Sequence, residues 1–148
     1  MRLRYSGIIV IILLAISGLL LVAGCGEKVA TETPDLTGQT IQDATAEEAY
    51  TLIQQNQLDP TFIIIDVRTP EEFAEGHIEG AINIDFRSEN FGGQIDELNR
   101  NNKYLIYCRS GNRSRGALEV MVEMDFKEAY HLSAGIIKWI DEEYPITR

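Results

Sequence analysis

The amino-acid sequence predicts one α/β domain built on a mainly parallel sheet, and three observations point that way. Strand-like and helix-like segments alternate along most of the chain. Two of the strand-like segments, Phe62-Ile63-Ile64-Ile65 and Tyr104-Leu105-Ile106-Tyr107, are unbroken apolar runs, as suits strands covered on both faces. Two helix starts carry the reciprocal Thr-x-x-Glu signature, at Thr45 and at Thr69.

In Thr45-Ala46-Glu47-Glu48 the threonine hydroxyl is placed to accept from the backbone N–H three residues on, while Glu48 reaches back to the Thr45 N–H. Ala46, Ala49, Tyr50 and Ile53 follow at helical spacing, so a helix is predicted over 45–56. Asp59-Pro60 ends the connection, and residues 62–65 form the first strand, closing at Asp66. In Thr69-Pro70-Glu71-Glu72 a proline takes the first helical position, where its missing N–H costs nothing; Gly76 stops that helix. A strand over 81–84, a short helix over 95–99 and a second buried strand over 104–107 come next, and Cys108 directly follows the last. From Ser114 the apolar positions Ala117, Leu118, Met121 and Met124 recur at helical spacing, with the methionines as core filling. Residues 128–132 make a last strand before a helix through Ile136, Ile137 and Ile140, in which Trp139 is a packing anchor. Short right-handed crossovers in such a sheet place ligands at the carboxyl ends of its strands.

The first residues read as an address. Arg2 and Arg4 form a basic start, an apolar run over 8–23 is broken only by Ser17 and Gly18, and Gly24-Cys25 closes it, which is the layout of a secretory signal. Leu21-Val22-Ala23-Gly24-Cys25 resembles a bacterial lipobox, which implies a lipid-bearing Cys25 as the mature N-terminus. Acyl chains contribute about 0.8 kcal/mol per buried CH₂, so two or three of them anchor stably where one does not. An uncleaved single span is the other reading of the run, and both place the domain on the extracytoplasmic side of a cell membrane. The expected organisation is therefore a lipoprotein signal peptide over 1–24, a polar tether over 25–39 and one domain over 40–148.

Formal net charge is −10, and all 23 acidic residues lie beyond the leading segment. A body that acidic is repelled by nucleic acid and by anionic lipid, because binding to either needs Lys and Arg against phosphate. With Cys25 lipidated, Cys108 is the one remaining thiol and has no partner for an internal disulfide. It is then either an inert buried thiol or a reactive one, and its surroundings decide between them.

Those surroundings are Cys108-Arg109-Ser110-Gly111-Asn112-Arg113-Ser114, between a predicted strand and a predicted helix. Ser, Gly and Asn allow the backbone to curl so that successive N–H groups point inward, and the following helix start adds its own unpaired N–H groups. A thiolate at the mouth of this cradle is favoured by those donors and by Arg109 and Arg113, so its pKa is expected to fall. The same donors would hold an anionic substrate during covalent catalysis. Two reaction classes place a cysteine before such a loop ending in arginine. Cysteine phosphatases have five intervening residues, a ring wide enough for tetrahedral phosphate. Here only Arg109, Ser110, Gly111 and Asn112 intervene, and the smaller ring favours sulfur.

At this point the sequence resembles the rhodanese (sulfurtransferase) family, in particular its small single-domain members. The resemblance rests on Asp66-Val67-Arg68 with Glu71-Glu72-Phe73, on Gly76-His77-Ile78 with Gly80-Ala81-Ile82-Asn83-Ile84, and on the loop from Cys108 to Ser114. It runs from about Thr40 to the C-terminus. Where the family often has paired glycines before its last helix, this chain has Ser133-Ala134-Gly135, with Trp139 at the expected distance. The resemblance implies a three-layer sandwich with a central, mainly parallel five-stranded sheet flanked by helices. It implies that the Cys108 thiolate attacks a sulfane sulfur, as in thiosulfate, and carries it as a persulfide to cyanide or a thiol. The loop residues Arg109, Ser110, Gly111, Asn112, Arg113 and Ser114 would bind substrate and persulfide, and no metal or organic cofactor is required.

Asp66, Arg68 and Glu72 read as a supporting ion-pair network that braces the second helix. His77 reads as a residue that fastens a loop. His131 falls in a strand without nearby ligand partners, and two histidines with one thiol at wide spacing do not make a zinc site. The alternatives to catalysis are a non-catalytic persulfide carrier and a redox-sensing module, with a cysteine phosphatase or arsenate reductase behind them.

Overall fold

The computed structural model describes residues 38–148, so Cys25, the expected signal segment and all but the end of the expected tether lie outside the described residues. Five strands, β1 (Thr40–Ala44), β2 (Phe62–Asp66), β3 (Ala81–Asn83), β4 (Lys103–Tyr107) and β5 (Glu128–Leu132), stand side by side in the order β1-β5-β4-β2-β3. Every pairing is parallel. Five helices accompany them: α1 (Ala46–Gln55), α2 (Pro70–Glu75), α3 (Phe91–Asp96), α4 (Asn112–Glu123) and α5 (Gly135–Asp141). This is the five-stranded α/β sandwich expected from the sequence.

The apolar run of β4 explains the layering. Tyr104 and Ile106 point to one face, where they join Phe91 and Ile95 of α3 and Ala117, Leu118 and Met121 of α4. Leu105 and Tyr107 point to the other, among Ala46 and Ala49 of α1 and Ile136 and Trp139 of α5. A strand covered on both sides has no solvated face on which to place polar residues, which is why it does not alternate. Burying each such side chain contributes about 1.5–3 kcal/mol, so this central strand is the least tolerant of change.

Both predicted capping boxes are present. The Glu48 N–H donates to Thr45 Oγ1 at 3.2 Å and the Thr45 N–H to Glu48 Oε2 at 2.8 Å. The Glu72 N–H donates to Thr69 Oγ1 at 3.4 Å and the Thr69 N–H to Glu72 Oε2 at 3.2 Å.

Three elements differ from expectation. β1 carries no strand signal in its residues, because Thr-Ile-Gln-Asp-Ala lies at the sheet edge and is mostly exposed, leaving no apolar run. The short helix before β4 begins at Phe91 rather than Ile95, so that Phe91 and Ile95, four apart, bury one face together. Helix α4 begins at Asn112, two residues before Ser114, capped by Gly111 in a left-handed conformation. Among the described residues no helix is long and apolar enough to cross a membrane.

Sheet order also fixes where a ligand belongs. β2 connects outward to its neighbour β3, whereas β4 connects the opposite way to β5, so the chain diverges between β2 and β4. Crevices open beyond the carboxyl ends of strands at such points. Cys108 stands at that end of β4 and Val67 at that end of β2, joined by the Val67 N–H donating to the Tyr107 carbonyl at 2.9 Å.

Candidate active site

The loop after β4 is held from below and from one side. The Ile136 N–H donates to the Cys108 carbonyl at 2.8 Å and the Ile137 N–H to the Arg109 carbonyl at 3.2 Å, so the start of α5 anchors the first loop residues. Two glycines make this contact possible. Gly111 adopts φ +97° with no room for a Cβ against the Ser133 carbonyl, and Gly135 adopts φ +66° with no room for one against the Arg109 backbone. Ala134 sits at φ −93°, ψ 0°, a conformation any residue adopts. The paired glycines that the sequence lacks are therefore needed only at the second position.

Held in this way, the loop wraps the Cys108 side chain, and the residue is 1% exposed. The Gly111 N–H donates to its Sγ at 3.2 Å, and the Ser114 hydroxyl lies 3.4 Å from it. Burial pushes the thiol pKa up. Hydrogen bonds from the Ser114 hydroxyl and from the backbone amides of Ser114, Ser110 and Gly111 outweigh it and bring the pKa below the ordinary value. Arg109 and Ser110 are exposed on the outer side of the loop, as is Asn112 at the start of α4.

Arg113 serves the loop differently from what its charge alone suggests. Its guanidinium makes a bidentate pair with Glu72, Nη1 to Oε2 at 2.6 Å and Nη2 to Oε1 at 2.8 Å, which ties α4 to α2. That pair holds the Glu72 carboxyl down at about 2, against an ordinary 4.5. The cation stays close enough to Cys108 for a thiolate there to raise the Arg113 pKa in turn.

The expected Asp66, Arg68 and Glu72 network is thus two separate pairs. Asp66 and Arg68 form their own buried bidentate pair, with Nε donating to Oδ1 at 3.0 Å and Nη2 to Oδ2 at 2.7 Å. The spare reach of Arg68 Nη2 goes to the Gly76 carbonyl at 2.6 Å, which pins the turn after α2. Glu72 leaves that network because Arg113, rather than Arg68, presents its fork to it. His77 does fasten a loop: its ring stacks on Phe73 with centroids 3.7 Å apart, and its backbone pairs with Thr147.

His131 has partners the sequence did not reveal. Its side chain is 1% exposed, with Nδ1 2.9 Å from Asp43 Oδ1 and Nε2 3.0 Å from Ser114 Oγ and 3.1 Å from the Gly111 carbonyl oxygen. The parallel register that sets Asp43 beside His131 depends on β1, so no local signal exposes the contact. A histidine on a strand that is otherwise a core strand was the one available hint.

The comparison with known proteins bears on this arrangement. The family model described as "Rhodanese-like domain" matches residues 45–142. The chain belongs to the rhodanese-like family. Rhodanese-like relatives include "Thiosulfate sulfurtransferase 18" of Arabidopsis thaliana, 29% identical over 124 residues that span 73% of this chain and 91% of that protein. The "Probable adenylyltransferase/sulfurtransferase MoeZ" of Mycobacterium tuberculosis is 35% identical over 82 residues, covering 55% of this chain but only 21% of that longer protein. A rhodanese-related protein from Thermoplasma volcanium has a crystal structure that matches with a TM-score of 0.60 at 29% identity, over 72% of this chain and 97% of that one. Rhodanese-like architecture puts the Cys108 loop at the centre of the fold, where β2 and β4 diverge.

Proposed function

We propose that the protein is a sulfurtransferase that moves a sulfane sulfur from a small anionic donor such as thiosulfate to a thiophilic acceptor, through a persulfide on Cys108. The observation that carries this reading is the closed loop around Sγ, in which backbone donors point at the sulfur and only four residues separate Cys108 from Arg113. Family membership and the sulfurtransferase relatives support the same class of chemistry.

In the first half-reaction the Cys108 thiolate attacks the outer sulfur of thiosulfate. A new S–S bond forms, the original S–S bond breaks, and sulfite leaves with its electron pair. In the second, a nucleophile such as cyanide attacks the outer persulfide sulfur and leaves as thiocyanate, returning the thiolate. The depth of Sγ fits this division of labour. A buried thiolate is out of reach of bulky acceptors, while a transferred sulfur stands about 2 Å further out along the new bond. Arg109 is the exposed cation of the loop and steers the anionic donor, and Arg113 shapes the loop through Glu72.

Incubating the purified chain with thiosulfate is expected to add one sulfur to Cys108 by intact mass and to yield thiocyanate with cyanide. If neither occurs, the reading fails. One sulfur taken up without turnover would make the protein a persulfide carrier, and phosphate release from an aryl phosphate would return the phosphatase reading despite the small ring.

We also propose that residues 1–24 are a lipoprotein signal peptide and that Cys25 carries the lipid that tethers the domain outside the cell membrane. Intact-mass analysis of the membrane-extracted protein is expected to show diacylglycerol on Cys25, and replacing Cys25 with Ala is expected to abolish it. A wild-type chain that carries no diacylglycerol on Cys25 would remove the anchor.

A further inference from the structure

The Ser114 hydroxyl has one proton and three acceptors around it: Cys108 Sγ at 3.4 Å, the Gly111 carbonyl at 3.0 Å and His131 Nε2 at 3.0 Å. The His131 ring lies between the Asp43 carboxylate, which only accepts, and the Ser114 hydroxyl, which can donate to it, with the Gly111 carbonyl beside that hydroxyl. Its Nδ1 meets the Asp43 carboxylate at 2.9 Å and its Nε2 meets the Gly111 carbonyl at 3.1 Å. A neutral imidazole donates from Nδ1 to Asp43 and accepts the Ser114 proton at Nε2, and once Nε2 is protonated it donates instead to the Gly111 carbonyl. With Nε2 protonated, Ser114 no longer needs to donate to histidine, and its proton is free for sulfur. The charge on such a ring is met by Asp43, whose carboxylate also takes Arg115 Nη2 at 2.8 and 3.0 Å.

Building on the reading of Cys108 as the nucleophile, we propose that His131 is a positioning residue that holds the proton released by Cys108, relayed by Ser114 and balanced by Asp43. In the relay the S–H bond breaks and its proton passes to Ser114 Oγ, while the original Ser114 proton passes to His131 Nε2. The products are a thiolate and an imidazolium with no change of oxidation state. The charged and titratable groups around His131 are Asp43 on β1, Arg115 on α4 behind Asp43, and Cys108 beyond Ser114. Arg113 lies outside the relay and acts on the sulfur through its field. The arrangement gives a buried thiol a proton acceptor that it does not share with substrate, so the donor anion need not remove the proton on entry.

The test follows thiolate formation directly, as the pH dependence of Cys108 alkylation by iodoacetamide in the full chain carrying Cys25→Ser. Replacing His131 with Gln is expected to slow alkylation about tenfold at mildly acidic pH and to shift the profile up by about one unit. Asp43→Asn, at a half-exposed position, is expected to shift it the same way by less. Nitrogen-15 NMR of the ring supplies a measurement that needs no His131 variant: at neutral pH both ring nitrogens carry protons when Cys108 is a thiolate, and one is lost in Cys108→Ala. Unchanged alkylation profiles in folded variants, or a ring whose protonation ignores Cys108, would overturn the relay. A protein that takes up no sulfur but shows these shifts would overturn the sulfurtransferase reading and leave the relay standing.

Discussion

Glu72 on α2 and Arg113 on α4 share two hydrogen bonds of 2.6 and 2.8 Å, and through them the helix after β2 clasps the helix that ends the Cys108 loop. The pair is about a quarter exposed or less on each side, so solvent screens it only in part. Replacing Glu72 with Gln is expected to cost about 1–2 kcal/mol in chemical denaturation and to loosen Arg113. Because the Glu72 pKa is lowered to about 2 from 4.5, its contribution is complete above about pH 4.5 and is lost as pH falls towards 2. Acid unfolding curves check this: the wild type and the Gln variant should converge at the acid end of that window and separate above it.

Asp66→Ala is expected to be the more damaging change, since it leaves the buried Arg68 guanidinium without its counter-charge. Breaking such a pair typically costs about 3–5 kcal/mol, against the smaller loss at Glu72. Urea unfolding of the two variants side by side measures the difference, and equal losses would argue against the division into two pairs.

Gly111 and Gly135 are predicted to resist substitution for reasons of both conformation and space. Alanine at either position meets a positive φ, worth about 1–3 kcal/mol of strain, together with backbone atoms that cannot move without opening the loop. Ala134→Gly should instead stay within about 0.5 kcal/mol of the wild type. Thiosulfate:cyanide turnover measured alongside thermal stability tests this, and a Gly111→Ala protein with full turnover would show that loop closure is not what presents Cys108.

The contrast between these residues marks what the sequence made legible. Core strands announce themselves through apolar runs, and helix starts through local side-chain to backbone pairs, so β2, β4, α1 and α2 could be read directly. The Cys108 loop was readable because its geometry is backbone shape, which Ser, Gly and Asn encode locally. Arg113 pairing with Glu72, and His131 reaching Asp43 and Ser114, are choices among tertiary partners. Neither involves residues near in sequence, and the second depends on β1, an edge strand too polar to signal itself. Charge count could say that Arg113 would find an anion, but not that the anion would be a carboxylate of the chain.

Ser114 joins the readable and the unreadable parts of the site, and its removal should separate them. The residue is fully buried, and its hydroxyl is one of the donors that hold the Cys108 pKa below the ordinary thiol value against the upward push of burial. In Ser114→Ala the burial remains while the hydroxyl is lost, so the thiol pKa must rise. A cysteine is nucleophilic only above its pKa, and the acid limb of the rate of sulfur uptake from thiosulfate should therefore move to higher pH. Loss of one neutral donor to an anionic sulfur is worth about 1.5–3 kcal/mol, which corresponds to a shift of about one to two pH units. Well above that limb the rates of variant and wild type should approach each other, because the Gly111 N–H still reaches the sulfur. A variant slowed equally at every pH would show instead that Ser114 acts on loop geometry rather than on the charge of Cys108.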